Sequence, residues 1–338
     1  MSKFEFAEDN NPPEKLDSVI AYLKQHGLGV IETNQNQVEG IAVGANGDTN
    51  LSTSSGTVTV DIHPTDNIIE PELVIANHDL PNGRWYCESG ETNENLWVPS
   101  VTTILSVLHK GHGFNVWNRN YGHLAPLYRD LAAIRGSIVH YFFEQLVVGC
   151  DVTVDSVWNF IQQEQDESWK TLTTHKNLTY EVLRFIESFV AFWQEKDPIP
   201  VAVEYPVLMP SYGGRLDLIV EMKKTKASKK RSRCLLDLKT GANYYSHGLQ
   251  NSAYKHAWEK VHPELPIDYM GGIYVTSQYR NEPTFKIGWQ KDEFEIFQAA
   301  EKIWYSMNKS TKTGKVSPKL IKKPRTSFNL YNKQEGAK

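Results

Sequence analysis

Two stretches of alternating polarity, residues 213–220 and 234–239, constrain this chain more than any other feature. Side chains alternate faces along a strand. In the second stretch Cys234, Leu236 and Leu238 then face a core, while Asp237 and Lys239 share the other face, roughly 7 Å apart along the chain. Thr240 and Gly241 follow with turn chemistry. In the first stretch Leu216, Leu218 and Val220 face the core and Asp217 faces away. Paired as a hairpin, the strands bring Asp217 and Asp237 onto one face. Two carboxylates that close repel unless a cation sits between them. A carboxylate holds a divalent metal, and a neighbouring amine can hold or deprotonate a water.

Other polar residues punctuate elements on either side. A helical pattern downstream carries Gln250 and Tyr254 at i and i+4, on one helix face. A strand pattern upstream, 201–209, carries the single acid Glu204. Earlier still, Arg135 and Gly136 precede His140 within a long helical stretch, and Glu144 follows one turn later.

This order of a helical His, a strand Glu, G-x-x-D (Gly214 to Asp217), D-x-K-T-G (Asp237 to Gly241) and Q-x-x-x-Y (Gln250 to Tyr254) resembles the PD-(D/E)xK nuclease superfamily in its RecB-like branch. The resemblance spans residues 84–308. Residues 98–105, with the later Arg135, Gly136 and His140, also resemble phage-type exonucleases and mitochondrial genome-maintenance exonucleases. It implies an α/β fold: a restriction-endonuclease-like mixed sheet flanked by helices, with a helical layer over the site; the helical spacing at 15–26 and the strand patterns at 28–32, 38–43 and 57–62 add a small N-terminal α/β accessory domain. It further implies Mg²⁺ or Mn²⁺, in a two-metal site, as the cofactor. Asp217 would bridge the metals; Asp237, the Leu238 carbonyl and His140 would hold the metal on the nucleophile side. Glu204 would bind a metal-bound water or orient Lys239. Lys239 would position or deprotonate the attacking water, and Gln250 and Tyr254 would steady it or contact the phosphate. The implied activity is metal-dependent hydrolysis of DNA from single-stranded ends, in replication, recombination or repair. A structure-specific flap endonuclease and a nucleic-acid-binding subunit with a vestigial site are the alternatives.

Composition limits the partners. The chain of 338 residues is 40% hydrophobic and 22% charged, as in globular proteins. Its net charge of −4 hides an asymmetry: residues 1–95 hold 4 basic and 16 acidic side chains, and the remainder is net positive. A basic body suits a polyanion. Cys87, Cys150 and Cys234 are three and dispersed, too few for a four-cysteine iron–sulfur cluster and unlike a disulfide framework. No apolar run reaches membrane-spanning length, and no secretory or Arg-rich transit pattern opens the chain, so a cytoplasmic location is expected, in the host cytoplasm if the protein is phage-encoded.

The expected organisation is an accessory domain over 1–80, a nuclease domain over 84–308 with a helical part at 100–196 and a sheet core at 198–290, and a basic tail at 309–338. Helical spacing marks 116–122, 124–148, 154–164, 177–196 and 245–260; strands are expected at 201–209, 213–222, 233–239, 271–276 and 284–289. The loop between the second and third core strands carries Lys229, Lys230 and Arg231 within a run of seven basic residues. Together with Arg135, Lys110 and Arg119 these are the candidates for phosphate contact. Trp117 and Tyr121, placed among basic residues, suit either a helical core or base stacking.

Overall fold

The computed structural model describes residues 68–108, 111–164, 168–223, 225, 228–310 and 315–319. Most of the expected accessory domain, Lys110 and most of the basic tail lie outside the described residues.

The described chain opens with a three-stranded antiparallel sheet, β1 (Ile75–Leu80), β2 (Gly83–Glu88) and β3 (Val98–Pro99). The 81–83 turn joins β1 to β2 as a hairpin, so residues from Ile75 onward belong to one sheet across it. Gly83 sits at φ +115°, and a Cβ there would lie 2.4 Å from the Thr103 side chain. Ser100 caps α1 (Val101–Ile104) by accepting from the Thr103 N–H. Four helices follow: α2 (Gly111–Tyr121), α3 (Ala125–Val147), α4 (Val154–Gln162) and α5 (His175–Lys196). The second sheet then forms from β4 (Ile199–Leu208), β5 (Gly213–Met222), β6 (Ser232–Lys239), β7 (Tyr269–Val275) and β8 (Phe285–Gln290), in that spatial order. It is mixed: β6 and β7 are parallel and all other neighbours antiparallel. The parallel pair needs a crossover, supplied by α6 (Tyr245–Val261). The helix α7 (Phe294–Asn308) follows β8.

Both faces of this sheet are covered. On one, Leu218, Val220, Cys234, Leu236 and Leu238 pack with Val139, Phe143, Phe189 and Phe192 of α3 and α5. On the other, Leu216, Ile219 and Leu235 pack with Leu249, Ala253 and Trp258 of α6 and Phe297 and Trp304 of α7. The face expected to carry Asp237, opposite Cys234, Leu236 and Leu238, is therefore a second core, and Asp237 is 2% exposed. A central strand beside a parallel neighbour is buried on both sides, which the period-2 pattern alone does not reveal.

The expectation that Leu216, Leu218 and Val220 share a face also fails: Leu216 lies in the opposite cluster. The cause is a break in the β4–β5 ladder. Val203 pairs with Leu218 and Tyr205 with Leu216, but no registered pair joins Glu204 and Asp217 between them. Glu204 is left-handed, at φ +45°. One such residue turns the strand over, so the parity of both strands reverses at the two acids.

The helical layer is filled by aromatic rings, with Trp169, Phe142, Phe143 and Phe185 buried. The exception is α2, none of whose residues is buried. Its Phe114, Trp117 and Tyr121 form a row of rings with Tyr128 of α3, at successive centroid distances of 5.9, 4.9 and 4.7 Å. Among the described residues no helix is long and apolar enough to cross a membrane.

Glu187 on α5 is 2% exposed, and its Oε1 has no hydrogen-bond partner among the described residues. Burial pushes its carboxyl up to about 7, against the pull of Arg184. A raised carboxyl contributes its stability at low pH and loses it as pH rises through the folded value. Glu187→Gln is therefore expected to leave stability unchanged near pH 4 and to raise it by roughly 1–3 kcal/mol at pH 8. Denaturant unfolding of the two proteins at both pH values measures this.

Candidate metal centre

The centre forms where α3 crosses the β4–β5 break. His140 on α3 sets its Nε2 3.1 Å from the Leu238 carbonyl. With the proton on Nε2 donated to that oxygen, Nδ1 is left to face the acids. It lies 3.7 Å from Glu204 Oε1 and 3.7 Å from Asp217 Oδ2. Ligand atoms of His140, Glu204 and Asp217 all lie within 4.8 Å of one another. Asp217 Oδ2 also accepts the Leu238 N–H at 2.7 Å, which ties β5 to β6 beside the centre.

Asp237 stands apart from this trio. Lys239 Nζ hydrogen-bonds its Oδ1 at 2.8 Å and lies 2.7 Å from its Oδ2, the latter outside hydrogen-bond geometry. Gln250 Nε2 reaches Oδ1 at 3.4 Å. Tyr254, one turn on, is admitted by Gly214: a Cβ there would lie 2.6 Å from the Tyr254 hydroxyl. The glycine of G-x-x-D thus makes room for the tyrosine of Q-x-x-x-Y.

Burial and charge oppose each other here. Burial pushes Asp237 up to about 6, with Lys239 pulling down and Asp217 adding repulsion. Burial disfavours charge on Lys239, yet Asp237 and Asp217 outweigh it and hold the amine above its ordinary value. His140 follows the same pattern: desolvation is overcome by Asp217 and Glu204, which raise it to about 9. Burial holds the Tyr254 phenol well above its ordinary value, so it stays a neutral donor.

The donor set, two carboxylates and an imidazole, fits a hard or borderline cation such as Mg²⁺ or Mn²⁺. Set against the expected ligands, the geometry brings His140 and Asp217 together, adds Glu204, and commits Asp237 to Lys239 and the Leu238 carbonyl to His140. One group of three candidate ligand side chains occurs among the described residues.

The centre opens into a cleft of about 500 Å³ lined by Arg84, Tyr86, Arg215, Glu144, Gln250 and Tyr254. Arg84, Tyr86 and Arg215 were not singled out in the sequence. Arg215 offered a signal, standing two residues before Asp217. The other two arrive through packing alone: Tyr86 lies so close to Gly213 that a Cβ there would meet it at 2.8 Å.

The expected phosphate contacts are dispersed. Arg135 pairs with Glu181 at 2.7 Å, outside the cleft. Arg119 is exposed on α2. Lys229 and Lys230 are exposed, while Arg231 pairs with Asp197 and the Glu221 carbonyl. Their loop joins the far ends of β5 and β6, about 17 Å along the strands from the acids at 3.3 Å per residue.

A left-handed non-glycine residue costs on the order of 1–2 kcal/mol, and Glu204 adds a like charge beside Asp217. Glu204→Asn, which tolerates that conformation, is expected to melt at a higher temperature than the parent without metal. With Mn²⁺ at one hundred times its Kd the parent should gain about 2.7 kcal/mol and the variant far less. Thermal unfolding with and without Mn²⁺ checks both halves.

No family model matches the chain, and no curated protein matches it.

Proposed function

We propose that this protein is a metal-dependent nuclease that hydrolyses DNA phosphodiester bonds, working from single-stranded ends, and that its mixed sheet is a restriction-endonuclease-like PD-(D/E)xK core. The observation that carries this reading is the meeting of His140, Glu204 and Asp217 within 4.8 Å, beside the buried Asp237–Lys239 pair. A strained acid at a cleft adds support, since backbone strain collects at functional sites. DNA replication, recombination or repair inside the cell is the setting that fits.

His140 Nδ1, Glu204 and Asp217 would hold the metal, which supplies charge stabilisation at the phosphate and lowers the pKa of a water. The protein's own groups then divide the work. The Leu238 carbonyl fixes the His140 ring. Lys239, kept protonated by Asp237 and Asp217, positions the attacking water as a hydrogen-bond donor rather than removing its proton. Asp237 and Gln250 orient Lys239. Tyr254 stays neutral and donates to a phosphate oxygen. Arg84 and Arg215 line the cleft that receives the polyanion. The half-buried Phe114 and Trp117 and the exposed Tyr121 of α2 suit unpaired bases, since stacking accepts any base.

Asp217→Ala, Asp237→Ala and Lys239→Ala are each expected to lower kcat at least a hundredfold, about 2.7 kcal/mol of barrier, with the circular dichroism spectrum unchanged. End-labelled DNA and RNA with Mg²⁺, Mn²⁺ or EDTA measure this; full cleavage by the Lys239 variant in Mg²⁺ would remove that residue from the mechanism. Linear single-stranded DNA should be degraded to short products while circular DNA of the same sequence survives. Rapid linearisation of the circle would replace the exonuclease reading with an endonuclease one.

The remote basic loop yields a separate expectation. Replacing Lys229 and Lys230 with Ser should leave cleavage of a short oligonucleotide intact and weaken binding of long single strands. Each lost contact should reduce the log–log salt slope by about 0.7, read by fluorescence anisotropy across a salt series.

A further inference from the structure

A second cavity, of about 800 Å³, lies beyond the Thr240–Gly241 turn; Arg135, Thr240, Asn243, Tyr274, Gln278 and Lys286 are among the residues lining it. Chain neighbours line it and the first cleft. Gly136 lines the first and its neighbour Arg135 the second; Lys239 lines the first and its neighbour Thr240 the second. A Cβ on Gly136 would stand 3.9 Å from Thr240 Oγ1, so α3 packs close to the turn here.

This cavity is built. Its outer rim is the loop between β7 and β8, which α5 pins from within: Arg184 donates to the Ser277 and Tyr279 carbonyls, and Ser188 to that of Thr284. Its floor rests on two mid-strand glycines paired across the sheet, Gly272 and Gly288. A Cβ on either would lie 2.8 Å from the Tyr274 ring. Mid-strand glycine weakens a sheet and marks close approach; here it lets an aromatic ring lie along the strands. The Tyr274 hydroxyl donates to Asn243 Oδ1 at 2.6 Å and lies 3.4 Å from His247 Nδ1, whose ring is offset-stacked at 6.3 Å; together they fix the ring's direction. Lys286, directly across the ladder from Tyr274, is exposed. An aromatic face with an adjacent cation is the pairing that holds a nucleotide of a single strand, base on ring and phosphate on amine.

We propose that this cavity is a single-nucleotide subsite: it receives one nucleotide adjoining the scissile phosphate, base against Tyr274 and backbone phosphate toward Lys286. The inference rests on the nuclease reading and adds the side of the centre on which one unpaired base is gripped. The strand would cross from the Arg84–Arg215 cleft over the Thr240–Gly241 turn.

The test uses the full chain and linear single-stranded oligonucleotides, each with one abasic residue at one of the first four positions from the cleaved end. The parent is expected to show one position at which the missing base lowers kcat/KM about tenfold, with the others near intact DNA. Tyr274→Ala should lose a similar factor on intact DNA and show no further loss at that position. Tyr274→Phe, which keeps the ring and drops the hydroxyl's contacts with Asn243 and His247, should keep the parent's ratio between intact and abasic DNA. Lys286→Ala should reduce the salt slope of KM by about 0.7. An active parent indifferent to every abasic position would overturn the subsite and leave the nuclease reading standing. A Tyr274→Ala variant that keeps the abasic penalty would likewise mean that the ring only supports Asn243. If that variant fails to fold, the parent and Tyr274→Phe profiles decide. A parent that cleaves no nucleic acid at all would remove the nuclease reading and the subsite together.

Discussion

The left-handed residue at Glu204 is the constraint on which the rest of the site depends. In a regular ladder Glu204 and Asp217 would pair, and strict alternation would keep Val203 and Tyr205 on one face. Instead the strand turns over at that point, with regular pairs on either side holding the break in place. The surrounding sheet supplies enough packing to hold a conformation that costs on the order of 1–2 kcal/mol. What it gains is geometry: both carboxylates come within 3.7 Å of His140 Nδ1.

Charge is managed by pairing. Asp237 is buried on the α6 side, where an isolated carboxylate is costly, and Lys239 offsets it from two residues along the same strand. His140 is held protonated by Asp217 and Glu204, and Lys239 by Asp237 and Asp217. A divalent cation would thus enter a site whose negative charge is already balanced by protons, and binding there would release one from His140. Lys239 keeps its proton through contact with Asp237, which accounts for its assignment as donor rather than base.

The two cavities give the proposed activity its direction. One is lined by arginines, small α3 residues and the three residues of the centre, the other by Arg135, Tyr274 and Lys286 among others. The α2 ring row and the far basic loop lie outside both. A polyanion held at all of them would be extended and single-stranded, because a duplex offers no free base to stack.

The sequence by itself determined the local order. Strand and helix positions from residue 199 to 290 fall within a few residues of their hydrophobic periods, because period 2 and period 3.6 are local properties. It also determined which polar residues interrupt them: His140, Glu204, Asp217, Asp237 and Lys239 stand out as charge inside apolar patterns. Tertiary structure decided how those residues group. Alternation could not show that α6 buries the second face of the sheet, since burial depends on a helix arriving from elsewhere. It could not show the parity reversal at Glu204, since a single φ leaves no compositional trace when the residue is not glycine. It could not show that Glu204 rather than Asp237 joins His140 and Asp217, because one turned residue decides that. Arg84 and Tyr86 reach the cleft only because β2 packs against Gly213. The mid-strand glycines 272 and 288 acquire their meaning only once the Tyr274 ring is seen to lie over them.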